Sequence, residues 1–126
     1  KAAQLGIESS VLFAGYRSDG GRLLAAADLY VNSSLSEAMS FGLLEAMRAA
    51  LPLVVTALDT NRELAEGEPA CGIAVPYGDV EGFAQAMLRL MEDEGLYCGY
   101  SANARRRVLD AYDLNRRAMD VYRAYQ

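Results

Sequence analysis

The chain has 126 residues, the size of one domain, and 52% of them are hydrophobic against 23% charged, which excludes a disordered polymer. Its formal net charge of −5 and pI near 4.7 argue against a nucleic-acid partner, which calls for a basic face.

In chain order, Val11 to Tyr16 (VLFAGY) is an apolar run closed by glycine and reads as a buried strand. Asp19 then opens a short helix over DGGRLLAAAD, with its carboxylate near the positive end. Leu29 to Ser34 (LYVNSS) is a second strand, ending in small polar residues. A loop carries Glu37, and a helix follows from about Phe41 to Ala50, stopped by Pro52. Leu53 to Ala57 (LVVTA) is a third buried strand. DTNRELAE forms a short helix capped by Asp59 or Thr60. Cys71 to Asp79 (CGIAVPYGD) is a last strand followed by a Pro-Tyr-Gly-Asp turn. From Val80 the period becomes helical, with Phe83, Met87, Leu90 and Met91 on one face. Two more helices cover about Leu96 to Ala111, where Arg105-Arg106-Arg107 reads as a solvated end, and Leu114 to Tyr125.

Strands that are apolar throughout and alternate with helices indicate an α/β fold: a Rossmann-like parallel sheet with helices on both faces and a helical C-terminus. Such sheets bind ligands beyond the carboxyl ends of their strands. That places Gly15-Tyr16, Ser33 to Ser40 and Ala57 to Thr60 around one crevice.

Within it lies SEAMSFGLLEAM, Ser36 to Met47, with Glu37 and Glu45 eight positions apart and only apolar, small or hydroxylic residues between them. A helix that is apolar nearly all round is a buried one, and a carboxylate there is costly unless paired or hydrogen-bonded. One reading pairs Glu45 with Arg48, three residues on. The other points Glu45 into the crevice to accept hydrogen bonds from ligand hydroxyls, while Glu37 sits at a helix N-terminus that gathers anions. Hydroxyl acceptors beside phosphate donors suit a sugar nucleotide.

Other chemistries are excluded or unsupported. The chain has no histidine, so Ser-His and Cys-His pairs and His-containing metal sites cannot form within it. Its two cysteines, Cys71 and Cys98, match no ligand spacing and read as free thiols of a reducing, cytoplasmic compartment. No apolar run reaches the roughly 18 residues of a membrane span.

Five segments in order, VLFAGYRSD, LLAAADLYVNSSLSE, GLLEAM, LPLVVTALDTNREL and GIAVPYGD, resemble the C-terminal, donor-binding domain of retaining glycosyltransferases of the GT-B fold, the glycogen synthase and sucrose synthase superfamily. Glu37 and Glu45 then form its E-x7-E motif. The resemblance implies that Glu45 holds the nucleotide ribose and that the backbone of Met39, Ser40 and Phe41 faces the diphosphate and sugar. It implies too that Glu37, the candidate catalytic residue, lies close to the donor sugar and that Tyr16 borders the base. No metal and no cofactor is expected; the nucleotide sugar is a co-substrate. Departures are Ala38 and Ser40 where glycines are usual, Ser33 for proline, Ala50 for glycine, and Asp59-Thr60 for Gly-Gly. A carboxylate at Asp59 would repel a diphosphate.

In that family the domain's sheet has the order 3-2-1-4-5-6, and two strands, carrying an Arg and a Lys for the diphosphate, precede the stretch where this chain starts. The resemblance therefore implies that residues 1–126 are a partial nucleotide-sugar-binding domain of a two-domain enzyme. A glycan, lipid-linked or small-molecule acceptor, and any peripheral membrane contact, would belong to its N-terminal domain. The uncovered strand edge suits self-association. The last helix, with Ala118, Tyr122 and Tyr125 on one stripe, is expected to pack against that N-terminal domain. The expected reaction is retaining hexosyl transfer from a nucleotide sugar to a hydroxyl. The alternatives are a non-catalytic sugar-nucleotide-binding module, suggested by Asp59-Thr60, a sugar-nucleotide epimerase of the same fold, and an α/β signalling domain.

Overall fold

The computed structural model describes residues 1–112, 119 and 122–125. Three strands, β1 (Tyr30–Asn32), β2 (Leu53–Thr56) and β3 (Gly72–Val75), form a parallel sheet in the order β1-β2-β3. Up to residue 112, five α-helices accompany them: α1 (Gly20–Ala25), α2 (Phe41–Arg48), α3 (Asp59–Glu66), α4 (Val80–Glu92) and α5 (Glu94–Ala111). The register sets Tyr30 beside Leu53 and Gly72, and Asn32 beside Val55 and Ala74.

Period-2 alternation sorts the strand side chains onto two faces. Leu53 and Val55 join Leu43, Ala46 and Met47 of α2, Leu64 and Ala65 of α3, and Ala104 and Val108 of α5 in the larger core. Val54 and Val75 face the other way, onto Ala86 and Leu90 of α4. Every residue of β2 is buried, which is why that strand reads as continuously apolar. Each fully buried Leu or Val contributes about 1.5–3 kcal/mol from desolvation alone. β1 lies at the edge, and its Val31 remains exposed.

Close approach explains two glycines. A Cβ on Gly72 would stand 2.6 Å from both the Cβ and the carbonyl oxygen of Leu53, and 3.1 Å from the Cβ of Ala65. A Cβ on Gly42 would stand 2.6 Å from the Tyr30 hydroxyl. Glycine thus lets β3 and α3 close on β2, and lets the Tyr30 ring lie along the first turn of α2.

Several expectations need correction. Val11 to Tyr16 forms no strand; Leu12 and Phe13 are 90% and 84% exposed. A strand is made by its ladder partner, and no described strand pairs with this segment. Met91 does not share the buried face of α4; it is 73% exposed, while Leu90 is buried and Phe83 and Met87 pack beside it. α3 begins without a side-chain cap, since Leu58 occupies the N-cap position and Asp59 lies inside the first turn. Asp19 does not cap α1 through its side chain but forms an ion pair with Arg17 at 2.7 Å. The predicted helix Leu114 to Tyr125 lies largely outside the described residues, including Ala118; Met119 and Tyr122 within it are exposed.

The three-arginine run is also more than a solvated end. Arg107 is partly buried, and its guanidinium donates to the carbonyls of Leu64 (2.6 Å), Pro69 (2.6 Å), Glu63 (3.2 Å) and Gly67. The last carbonyls of a helix lack intrahelical donors, and here α5 supplies one to α3.

Candidate functional site

The loop from β1 to α2 and the start of α3 meet beyond the carboxyl ends of β1 and β2. Between them lies a cavity of about 330 Å³, walled by Leu35, Ser36, Glu37, Leu58, Asp59 and Thr60. A larger cavity, about 870 Å³, opens at the opposite pole beside Asp28, Leu29, Leu90, Met91 and Tyr97. Size does not decide between them. In an open parallel sheet the loops at the carboxyl ends are the ones free to diversify around a ligand, and the smaller cavity is at that end.

A chain of hydrogen bonds shapes the loop. The Asn32 side-chain oxygen, at the end of β1, accepts from the Ser34 N–H at 2.9 Å. The Ser34 hydroxyl donates to Oε1 of Glu37 at 2.8 Å. The Glu37 carbonyl accepts from the Thr60 hydroxyl at 3.4 Å. Thr56, closing β2, donates through its hydroxyl to the Asn32 carbonyl at 3.4 Å. The buried Asn61 amide donates to the Thr56 carbonyl at 3.0 Å, and its Oδ1 is buried without a partner among the described residues. The end of β1, through Asn32 and Ser34, and α3, through Thr60, therefore hold the Glu37 segment.

α2 starts immediately after this loop. Ser40 is its N-cap, 8% exposed, and accepts from the Leu43 N–H through its hydroxyl at 3.4 Å. The first-turn N–H groups of Phe41 and Gly42 have no intrahelical acceptor, so the opening of α2 presents positive partial charge to the solvent side. The sequence residues Glu37, Met39, Ser40 and Phe41 are thus brought together at one place; Met39 and Phe41 are exposed there.

Two other candidates are placed differently. Glu45 is exposed, on the stripe of α2 that also carries Phe41 and Arg48, while Leu43, Ala46 and Met47 form the buried stripe. The helix is amphipathic rather than buried all round, so desolvation gives no reason for a partner. The Arg48 pair expected as the alternative is not formed among the described residues, where the ion pair is Arg17 with Asp19. Glu45 is an accessible carboxylate one turn into α2 and is not in the wall of the small cavity. Tyr16 is 97% exposed. The strand expected to hold it at the sheet edge does not form, so the fold does not bring it to the cavity.

Two residues were not singled out from sequence for what they do here: Ser34 and Thr60. A hydroxyl three positions before Glu37, and another in the first turn of α3, were the available signals. No group of three or more Asp, Glu or Cys among the described residues could hold a metal ion, and no described helix is long and apolar enough to cross a membrane.

Comparison with known proteins bears on this arrangement. Residues 1–93 match the family described as glycosyl transferases group 1. The chain is 32% identical over 123 residues to the lipopolysaccharide glucosyltransferase WaaG of Escherichia coli K12, covering 95% of this chain and 33% of that protein. It is 35% identical over 105 residues to a phosphatidyl-myo-inositol mannosyltransferase of Mycolicibacterium smegmatis, covering 82% of this chain and 26% of that one. In three dimensions it matches Anabaena HepE, crystallised in complex with UDP, with a TM-score of 0.91 at 25% identity, over 98% of this chain and 34% of that one. The chain thus spans between about a quarter and a third of the length of these relatives. The α/β fold and the match over most of the chain agree: the chain belongs to the glycosyl transferases group 1 family.

Proposed function

We propose that this chain supplies most of the donor site of a retaining hexosyltransferase of the GT-B fold, which moves a sugar from a nucleotide donor to a hydroxyl acceptor. Residues 1–126 would be part of the C-terminal, nucleotide-sugar-binding domain of a two-domain enzyme. The observation that carries the reading is the juxtaposition at the start of α2: a half-buried Glu37 held by Ser34, the helix N-terminus capped by Ser40, and an accessible Glu45 one turn further on. The crystallised complex of HepE with UDP supports a nucleotide as the ligand.

In this reading the N–H groups at the opening of α2, around Met39, Ser40 and Phe41, receive the negative charge of the diphosphate. Charge that develops on the departing diphosphate would be stabilised there, the kind of contribution that is usually the largest in group transfer. Glu45 accepts hydrogen bonds from the ribose hydroxyls. Glu37 faces the sugar, and Tyr16 stacks on the base once the domain is complete. The nucleotide sugar is the co-substrate and no cofactor takes part. The acceptor, a glycan, a lipid-linked sugar or a small molecule, is bound by the remainder of the enzyme. The free thiols Cys71 and Cys98 agree with a cytoplasmic reaction.

One observation favours a second reading, a sugar-nucleotide-binding module without catalysis: Asp59 puts a second carboxylate into the cavity wall beside Glu37.

Titration of the chain with UDP, GDP and ADP, followed by NMR, tests the donor assignment. Glu45→Ala should weaken the best-bound nucleotide by about 1.5–3 kcal/mol, the worth of charge-assisted hydrogen bonds, with the amide spectrum of β2 unchanged. Equal affinity of the variant would remove the ribose role.

A further inference from the structure

We propose that Ser34 and Thr60 are positioning residues that hold Glu37 in its working orientation before any donor arrives; this rests on the reading of Glu37 as the residue facing the donor sugar. Glu37 is gripped twice, once at its carboxylate by the Ser34 hydroxyl at 2.8 Å and once at its main-chain carbonyl by the Thr60 hydroxyl at 3.4 Å. A local loop turn would need only the first bond. The second comes from 23 residues further along the chain, in the first turn of α3.

Both anchors stand on regular structure. Ser34 is fixed through its N–H by Asn32, the last residue of β1. Thr60 belongs to α3, and α3 is tied to the end of β2 by Asn61. The clamp therefore refers the carboxylate to the sheet rather than to a free loop. A glutamate side chain ordered only on binding loses its rotamer entropy at that moment. Ser34 makes that ordering part of the folded state, which is how positioned groups gain over free ones. The magnitudes rank the anchors. A short hydroxyl-to-carboxylate bond is about twice as strong as a neutral one, whereas the Thr60 bond is long and neutral. Ser34 is therefore the larger contributor, and Thr60 holds the main chain against which the carboxylate swings.

Thr60 also gives a positive role to a departure from the family's pattern. At a position where the resembling enzymes have glycine, this chain has a hydroxyl that reaches the opposite wall of the cavity. The loop is braced across the cavity, not merely along it.

The test uses the chain with Ser34→Ala, Ser34→Thr, Thr60→Val and Glu37→Gln. The probes are UDP, GDP and ADP and the glucose ester of each. For the best-bound base, Ser34→Ala should lower affinity for the glucose ester about tenfold while leaving the bare diphosphate unchanged. Ser34→Thr should restore it, and Thr60→Val should give a smaller loss of the same kind. Amide exchange at residues 36–39 should quicken in Ser34→Ala and Thr60→Val and stay unchanged at Leu53–Thr56. A merely structural role would move both ligands together. If Glu37→Gln shifts the ester but Ser34→Ala does not, the positioning proposal fails and the donor-site reading stands. If Glu37→Gln shifts neither, or no probe binds, the reading of Glu37 fails and this proposal falls with it.

Discussion

The guanidinium of Arg107 faces main-chain oxygens, those of Glu63, Leu64, Gly67 and Pro69. Replacing it by methionine keeps the apolar stem and leaves those acceptors without their charged donor. We expect Arg107→Met to lower stability by on the order of 2–4 kcal/mol, read from urea unfolding; a change below about 0.5 kcal/mol, the ordinary effect of a surface substitution, would show that solvent replaces the clamp. Beside it, burial pushes the Cys71 thiol above its ordinary value of 9.0, with the Arg107 charge opposing. The thiol is fully buried and donates to the Leu64 carbonyl at 3.1 Å. The unfolded thiol then loses its proton at lower pH than the folded one. Stability contributed by the neutral thiol is complete below about pH 9 and declines as pH rises beyond it. A thermal-melting series from pH 7 to 10.5 should therefore fall more steeply at the alkaline end for the parent chain than for Cys71→Ala. Parallel curves would mean that the thiol does not govern that limb. From sequence Arg107 reads as part of a solvated helix end, although Ala104, Arg107 and Val108 share one side of that helix and the first and last of these are buried. What the spacing could not supply was the turn of chain from Glu63 to Pro69 that meets it.

Among the elements, β2 and α2 were the most legible, because both faces of β2 are covered and α2 carries a clear buried stripe of Leu43, Ala46 and Met47. Pattern alone over-reached at Glu45. Eight apolar or small residues around a carboxylate suggested a helix buried on all sides, yet Phe41 and Leu44 are not fully covered and Phe41 is 75% exposed. An apolar side chain next to a ligand site looks the same in sequence as one in a core. The β3 strand shows the opposite limit. Its glycine could have been read as a weak point, whereas Gly72 is where the Leu53 main chain and Ala65 press closest. Gly72→Ala should therefore cost at least about 2 kcal/mol through overpacking and a displaced strand. Unfolding in urea measures it, and an unchanged midpoint would mean that β3 shifts without penalty.

At the scale of the whole molecule, the order of elements and the parallel sheet followed from apolar strands alternating with helices, and the loop bearing Glu37 fell where strand ends predict a site. The segment Val11 to Tyr16 did not follow, since an apolar run encodes a strand only together with the neighbour that hydrogen-bonds it. The cavity by Glu37 has two carboxylates and no basic side chain in its wall. Under the proposed donor-site reading, charge stabilisation of a leaving diphosphate would fall on the N–H groups of α2. The chain alone, incubated with UDP-glucose and a hydroxyl acceptor, is expected to give background transfer; turnover well above background would show that those N–H groups suffice. The Arg107 clamp has a last consequence, which concerns time. Its acceptors lie 38 to 44 residues earlier in the chain, so during synthesis α3 is made well before its final donor leaves the ribosome. Closing a loop of that length is entropically uphill until other contacts are in place. The strands and α3 can form a local nucleus first, with the α5 contact completing it afterwards. A bond made after the rate-limiting step acts on the unfolding rate and leaves the folding rate nearly untouched. If the α5 contact forms after that step, Arg107 acts as a latch, and Arg107→Met should then raise the unfolding rate while leaving the folding rate nearly unchanged.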